Sequence, residues 1–158
     1  MNIVVNVSDA RVSKDPEDTL VTYSLGSCIA VVAYDPISRC GGLLHYQLPT
    51  STLDASRAQA NPCMFADTGM KHLLQELQNT GANKTRLKVK LAGGAEMFDD
   101  KGVFSIGKRN HTAIRKILWQ HGLLLSSEQV GGSEPRTLYL HLADGSTIIK
   151  SRGETIPL

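Results

Sequence analysis

Cysteine is scarce in this 158-residue chain, and its placement rules out two common reasons for having any. The three cysteines stand at positions 28, 40 and 63, an odd number, widely spaced, with no CxxC pair. A disulfide framework needs pairs and a structural zinc site needs closely spaced ligands, so neither is expected. Thiols kept reduced fit a cytoplasmic protein. No stretch approaches the ~20 apolar residues of a membrane span, so no membrane insertion is expected. The apolar start, Met1 to Val7, is too short for a secretory leader and follows no basic residue. Blocks of one charge sign are also missing: 17 Lys and Arg stand against 15 Asp and Glu, a net charge of +2. The one basic cluster, Lys84, Arg86, Lys88 and Lys90, alternates with Leu87, Val89 and Leu91. That is a strand with one wet face, and nucleic acid is not expected as a partner. His72, His111, His121 and His141 lack metal-ligand spacing. Neither Gly93-Gly94 nor Gly131-Gly132 continues into a phosphate loop, so no metal or cofactor is expected.

What remains is an ordinary globular composition, 41% hydrophobic and 20% charged. A chain of this length forms one domain, 1–158, burying roughly 68–70% of its unfolded surface. Ile3 to Val7 reads as a first strand and Ser8 to Asp18 as a loop. Leu20 to Tyr23 is extended. Ile29 to Tyr34 is apolar without alternation, which suits a strand covered on both faces. Gly41 to Leu48 is its hairpin partner. Thr50 to Asn61 is small and polar and reads as a long surface loop. A helix starts near Pro62, with Phe65, Leu73, Leu74 and Leu77 as its stripe and Gly81 as its stop. A strand over Leu87 to Leu91, a loop over Asp99 to Gly102 and a helix from Lys108 to His121 follow, with Gly122 just past its end. Leu123 to Leu125 opens another strand. Thr137 to Leu142 and Thr147 to Lys150 form a last hairpin around Ala143-Asp144-Gly145. Strands outnumber helices, so the fold class is α/β with mostly antiparallel sheet.

The chemistry concentrates on the first hairpin. Leu25-Gly26-Ser27 makes a turn that delivers Cys28 to the start of its first strand, and His45 lies on its second. A turn between Asp35 and Gly41 pairs residues whose numbers sum to about 76, placing Cys28 opposite Gln47-Leu48. His45 is then a diagonal neighbour at ~7–8 Å between backbones, within reach of an imidazole, and a bulge at Gly41-Gly42 would bring it closer. A thiol beside an imidazole is the minimum apparatus for nucleophilic attack on an acyl group. Gly26 permits close approach of the backbone, and the turn leaves N–H groups free for an oxyanion. A third group must orient the imidazole: the hydroxyls of Thr22, Ser24 and Ser27 and the carboxylate of Asp67 are in contention. Cys40, in a turn, and Cys63, at a helix start, read as structural, although a helix N-terminus lowers a thiol pKa and leaves Cys63 a route to reactivity.

The run Asp18 to Cys28, with His45 and Leu48-Pro49, resembles the chemoreceptor glutamine deamidases of bacterial chemotaxis, the CheD family. The resemblance continues through Gly93 to Phe98, Ile106 to Asn110, and Gly131-Gly132 with Arg136. It implies an α/β sandwich related to deamidating toxin domains, with helices flanking the sheet, and hydrolysis of receptor glutamine side chains to glutamate with release of ammonia. It makes Cys28 the nucleophile, His45 the base and Thr22 the third catalytic residue, with Gly26 and Ser27 at the oxyanion and substrate. Methyl-accepting chemotaxis receptors are the implied substrates and a CheC-type phosphatase the implied partner. Gln47, Phe65 and Glu134-Pro135 depart from the family pattern. Three other readings compete: hydrolysis of receptor glutamate methyl esters at the same site, a non-catalytic adaptor with an idle thiol, and a cysteine peptidase.

Overall fold

The computed structural model describes residues 1–96 and 105–158. The expected loop Asp99 to Gly102, with Met97 and Phe98 of the motif, lies outside the described residues. In chain order the strands are β1 (Asn2–Val4), β2 (Asp9–Ser13), β3 (Thr19–Leu25), β4 (Ile29–Asp35) and β5 (Cys40–Tyr46). Helices α1 (Ala55–Ala60) and α2 (Ala66–Thr80) follow, then β6 (Lys88–Gly93) and α3 (Ile106–Gln120). Strands β7 (Leu125–Val130), β8 (Arg136–His141), β9 (Thr147–Ser151) and β10 (Glu154–Pro157) end the chain. One sheet runs β1-β3-β8-β9-β10 and the other β2-β5-β4-β6-β7. Among the described strands, β1 with β3 and β6 with β7 pair in parallel and the other pairs are antiparallel. The fold is α/β with mostly antiparallel sheets, as expected.

Alternation along β4 explains the layering. Ile29, Val31 and Ala33 join a core with Leu73 and Leu77 of α2 and Ile114 of α3, whereas Ala30, Val32 and Tyr34 join a second core with Leu20 of β3 and Leu138 of β8. The strand is buried at all seven positions because it separates two apolar layers. Each fully buried Ile or Val there contributes about 1.5–3 kcal/mol. The helices thus cover one face of the second sheet, and the first sheet covers the other. No helix among the described residues is long and apolar enough to cross a membrane.

Three expectations change. Ser8 to Asp18 is not all loop: Asp9–Ser13 forms edge strand β2 against β5, its Ala10 and Val12 packed on the helix-side core. Thr50 to Asn61 is not an irregular loop. Thr50 caps a 3₁₀ turn over Ser51–Leu53, and Asp54 caps α1 by accepting from the Arg57 N–H at 3.1 Å. Local caps, not an apolar stripe, order this segment. Pro62 opens a short 3₁₀ turn, Pro62–Met64, and α2 starts only after Phe65, which is extended and fully buried. Gly81 ends α2 at φ 112°, a left-handed stop as predicted.

Candidate active site

The hairpin register places the two candidate residues, Cys28 and His45. Strand β4 pairs with β5 through Ile29 with Tyr46 and Ala30 with His45, continuously to Asp35 with Cys40. Cys28, one residue before the strand, therefore falls opposite the Gln47 position. No bulge interrupts the ladder at Gly41-Gly42. Close packing explains those glycines: a Cβ at Gly41 would stand 2.9 Å from Leu142 Cδ1, and one at Gly42 2.8 Å from Leu73 Cδ1. Parity sets the direction of the side chains. Leu44 and Tyr46 pack toward the helices and Leu43 toward the other sheet, so His45 faces the other sheet too. Cys28, two residues from Ala30, packs on the same inter-sheet core. Cys28, His45 and Thr22 line one cleft of about 260 Å³, with Val4 to Val7, Tyr23 and Ser24.

The bulge of this site is in β3. Its register against β8 passes Thr22 with Leu138 and then Leu25 with Arg136, inserting one residue. Ser24 absorbs the insertion in the left-handed region at φ 56°, a conformation a non-glycine side chain adopts only at a cost. The extra residue lets both Leu20 and Leu25 face the inter-sheet core despite their odd separation. It also leaves Tyr23 at the surface, 49% exposed, beside the cleft.

Of the four groups in contention for the imidazole, Thr22 meets it. Thr22 Oγ1 lies 2.7 Å from His45 Nδ1 and donates to the Val5 carbonyl at 2.7 Å. A hydroxyl has one proton, and a carbonyl can only accept it. The remaining Thr22–His45 bond must then run from Nδ1–H to the hydroxyl oxygen, which leaves Nε2 as the basic nitrogen. Asp67 is occupied elsewhere, accepting from the Ser51 N–H at 2.9 Å and from its hydroxyl at 2.5 Å. Ser24 lines the cleft at its outer end, and Ser27 contributes its carbonyl to Asn110.

Burial sets the protonation states. His45 is 4% exposed, and loss of water pushes its pKa down to about 4. Burial pushes the Cys28 thiol up, opposed in part by its own backbone N–H. At neutral pH the cleft therefore holds a neutral thiol and a neutral imidazole. Burial first, then Asp9 and Glu76, pushes Cys63 up to about 11, and burial also raises Cys40.

A ring of backbone bonds fixes the turn that carries Cys28. The Gly94 N–H donates to the Cys28 carbonyl at 2.8 Å and the Ala95 N–H to the Gly26 carbonyl at 2.9 Å. Gly93, at φ 106°, passes so close that a Cβ there would lie 2.2 Å from the Cys28 oxygen. Sequence reasoning missed Asn110 as a functional position. Fully buried on α3, its Nδ2 donates to the Ser27 and Gln47 carbonyls, both at 2.9 Å, while its main-chain carbonyl accepts from Tyr46 Oη at 2.5 Å. One amide thus ties the strand of the thiol to the strand of the imidazole. The signal was available: Asn110 falls on the buried face with Gly107, Ile114, Ile117 and Leu118, where a polar residue needs a purpose. Of the departures from pattern, Phe65 is core and bridges Leu48, and Gln47 Oε1 accepts from Ser8 Oγ at 3.4 Å. Among the described residues no group of three or more His, Cys, Asp or Glu is placed to hold a metal ion.

A solved structure from Bacillus licheniformis, "hypothetical protein YfiH", superposes with a TM-score of 0.49 at 12% identity, covering 79% of this chain and 51% of that one. The chain is 49% identical over 152 residues to a "Probable chemoreceptor glutamine deamidase CheD" of Solibacter usitatus, covering 96% of this chain and 90% of the relative. It is 45% identical over 152 residues to "Probable chemoreceptor glutamine deamidase CheD 1" of Syntrophus aciditrophicus, covering 96% and 95%. The family model described as "CheD chemotactic sensory transduction" matches residues 47–151. With that match and those relatives, the chain belongs to the CheD chemotactic sensory transduction family.

Proposed function

We propose that this protein hydrolyses the side-chain amide of glutamine residues on chemotaxis receptors, giving glutamate and ammonia. The observation that carries the reading is the Thr22 hydroxyl, whose only proton is committed to the Val5 carbonyl. It therefore receives His45 Nδ1–H and holds Nε2 bare in the cleft that Cys28 lines. His45 Nε2 takes the thiol proton as Cys28 Sγ bonds to the amide carbon. With a raised thiol and a lowered imidazole, transfer waits for the substrate rather than preceding it. The carbonyl oxygen gains charge and is held by N–H groups of the Gly26-Ser27-Cys28 turn, none of which, among the described residues, donates to a loop or turn carbonyl. The C–N bond breaks as His45 returns its proton to departing ammonia, leaving a thioester. Water, its proton taken by His45, attacks the same carbon; the C–S bond breaks and the thiol is restored. A glutamate methyl ester would pass through the same thioester, so methylesterase activity at receptor sites is the second reaction this geometry supports.

The test is incubation with receptor cytoplasmic domains, read by peptide mass spectrometry and ammonia release. Wild type gains about one dalton per converted glutamine, and Cys28→Ala gains none. Equal conversion by the two proteins would remove Cys28 from the chemistry.

A further inference from the structure

The cleft of Cys28 and His45 does not end at Ser24. The same residue lines a second concavity of about 270 Å³ whose walls carry Arg136, Lys150 and Arg152. These cations are poorly compensated. Arg136 donates to neutral acceptors, Gln129 Oε1 at 2.8 Å, the Gly131 carbonyl at 2.7 Å and the Gly93 carbonyl at 3.2 Å. Lys150 Nζ sits 5.0 Å from the Tyr139 ring centroid. Among the described residues, the carboxylate paired with any of the three is Glu134, 3.9 Å from Arg152, with both side chains substantially exposed. A pair that long and wet is worth little, so the concavity keeps a positive potential. On its other side the cleft has an apolar rim of Val4, Val7 and Tyr23, all exposed. A free amino acid would leave both features unused.

We propose that the basic concavity is a substrate subsite: the target glutamine enters at Cys28 while carboxylates of the same polypeptide segment are held by Arg136, Lys150 and Arg152. This rests on the amide-hydrolysis reading of the cleft and adds that the preferred substrate is acidic beside its glutamine. Because Ser24 is shared by both hollows, the β3 bulge that exposes Tyr23 also joins the reacting site to the charged one. Such complementarity acts on capture rather than on the bond-breaking step, and salt weakens it.

Two synthetic helical peptides test this, each with one glutamine, flanked by glutamates in one and by serines in the other. For wild type, KM is about tenfold lower for the acidic peptide at low salt, and about 0.5 M NaCl removes the difference. In Lys150→Glu/Arg152→Glu the preference disappears or inverts, and Lys150→Gln/Arg152→Gln lies between. Equal KM values for the two peptides in wild type, or a charge reversal that shifts both alike, would overturn the subsite. Binding of fluorescent versions to Cys28→Ala separates this from the catalytic reading. Acidic-peptide binding that charge reversal abolishes, without ammonia release by wild type, leaves the subsite standing and the deamidase reading overturned. Ammonia release from both peptides with no difference in binding does the opposite.

Discussion

Thr22 has no carboxylate's charge with which to polarise His45; what it supplies is orientation. Its hydroxyl holds one imidazole nitrogen and is itself pinned by a main-chain carbonyl. Thr22→Val keeps the shape, removes both bonds, and leaves a buried N–H and a buried C=O without partners. The cost to stability is about 1–3 kcal/mol. We expect kcat to fall on the order of 10- to 100-fold, the range seen when an outer partner of a functional imidazole is lost, with KM little changed. Thr22→Ser restores most of the rate because it restores the oxygen. A valine variant with wild-type kcat would show that the imidazole needs no holder. The protonation states make a separate prediction. In the proposed reaction His45 accepts the thiol proton only while neutral, and burial holds its pKa down to about 4. The acid limb of kcat/KM for deamidation should therefore fall near pH 4. A limb near 6.5, the ordinary imidazole value, would mean that the ring is solvated in the working enzyme.

At the scale of elements, the site is an agreement between β3, the β4–β5 hairpin and α3, and Asn110 is where α3 takes part. Asn110→Ala removes the buried amide that donates to the partly buried carbonyls of Ser27 and Gln47. Unfolding in urea should show a loss of about 2–4 kcal/mol. Ammonia release should fall further than the unfolded fraction explains, because thiol and imidazole strands are no longer tied. Full activity in the residual folded protein would make Asn110 a purely structural residue. The hairpin itself was legible in the chain to within one residue: its register is set by a short turn, and the sum rule placed Cys28 against Gln47-Leu48, where the ladder of β4 and β5 implies Gln47. The β3 bulge was not legible, because it depends on which face Leu25 must present to a strand over a hundred residues away. Strand β2 was hidden by its charged, outward residues; the alternation of Ala10 and Val12 was present, but an edge strand has only one apolar face to display. Helix α1 carries a single buried residue, Ala58, so periodicity had nothing to detect and its cap was the only cue.

For the whole molecule, burying the imidazole between two sheets has a cost that acid should reveal. The unfolded chain binds a proton at His45 near pH 6.5, whereas the folded chain resists it until about pH 4. Between those values the unfolded state holds more protons, so stability falls as pH falls. At 1.36 kcal/mol per pH unit, up to about 3 kcal/mol is lost across that window. Asp35 behaves in the opposite manner and in a different range. Arg86 donates to its fully buried carboxylate at 2.8 Å, the Asn83 and Ile37 N–H groups add to the effect, and its pKa is held well below the ordinary carboxylate value. Its stabilisation is fully present above about pH 4 and is lost only in stronger acid. The two can therefore be told apart. Urea midpoints at pH 7 and pH 4.5 should converge for His45→Gln relative to wild type, since the variant lacks the titrating ring and keeps Asp35 ionised. His121, also lowered by burial and by Lys84, titrates equally in both proteins and drops out of the difference. Parallel pH dependence in the two proteins would mean that the His45 ring is not desolvated in the folded state, and the neutral thiol–imidazole pair on which the proposed catalytic cycle depends would lose its basis.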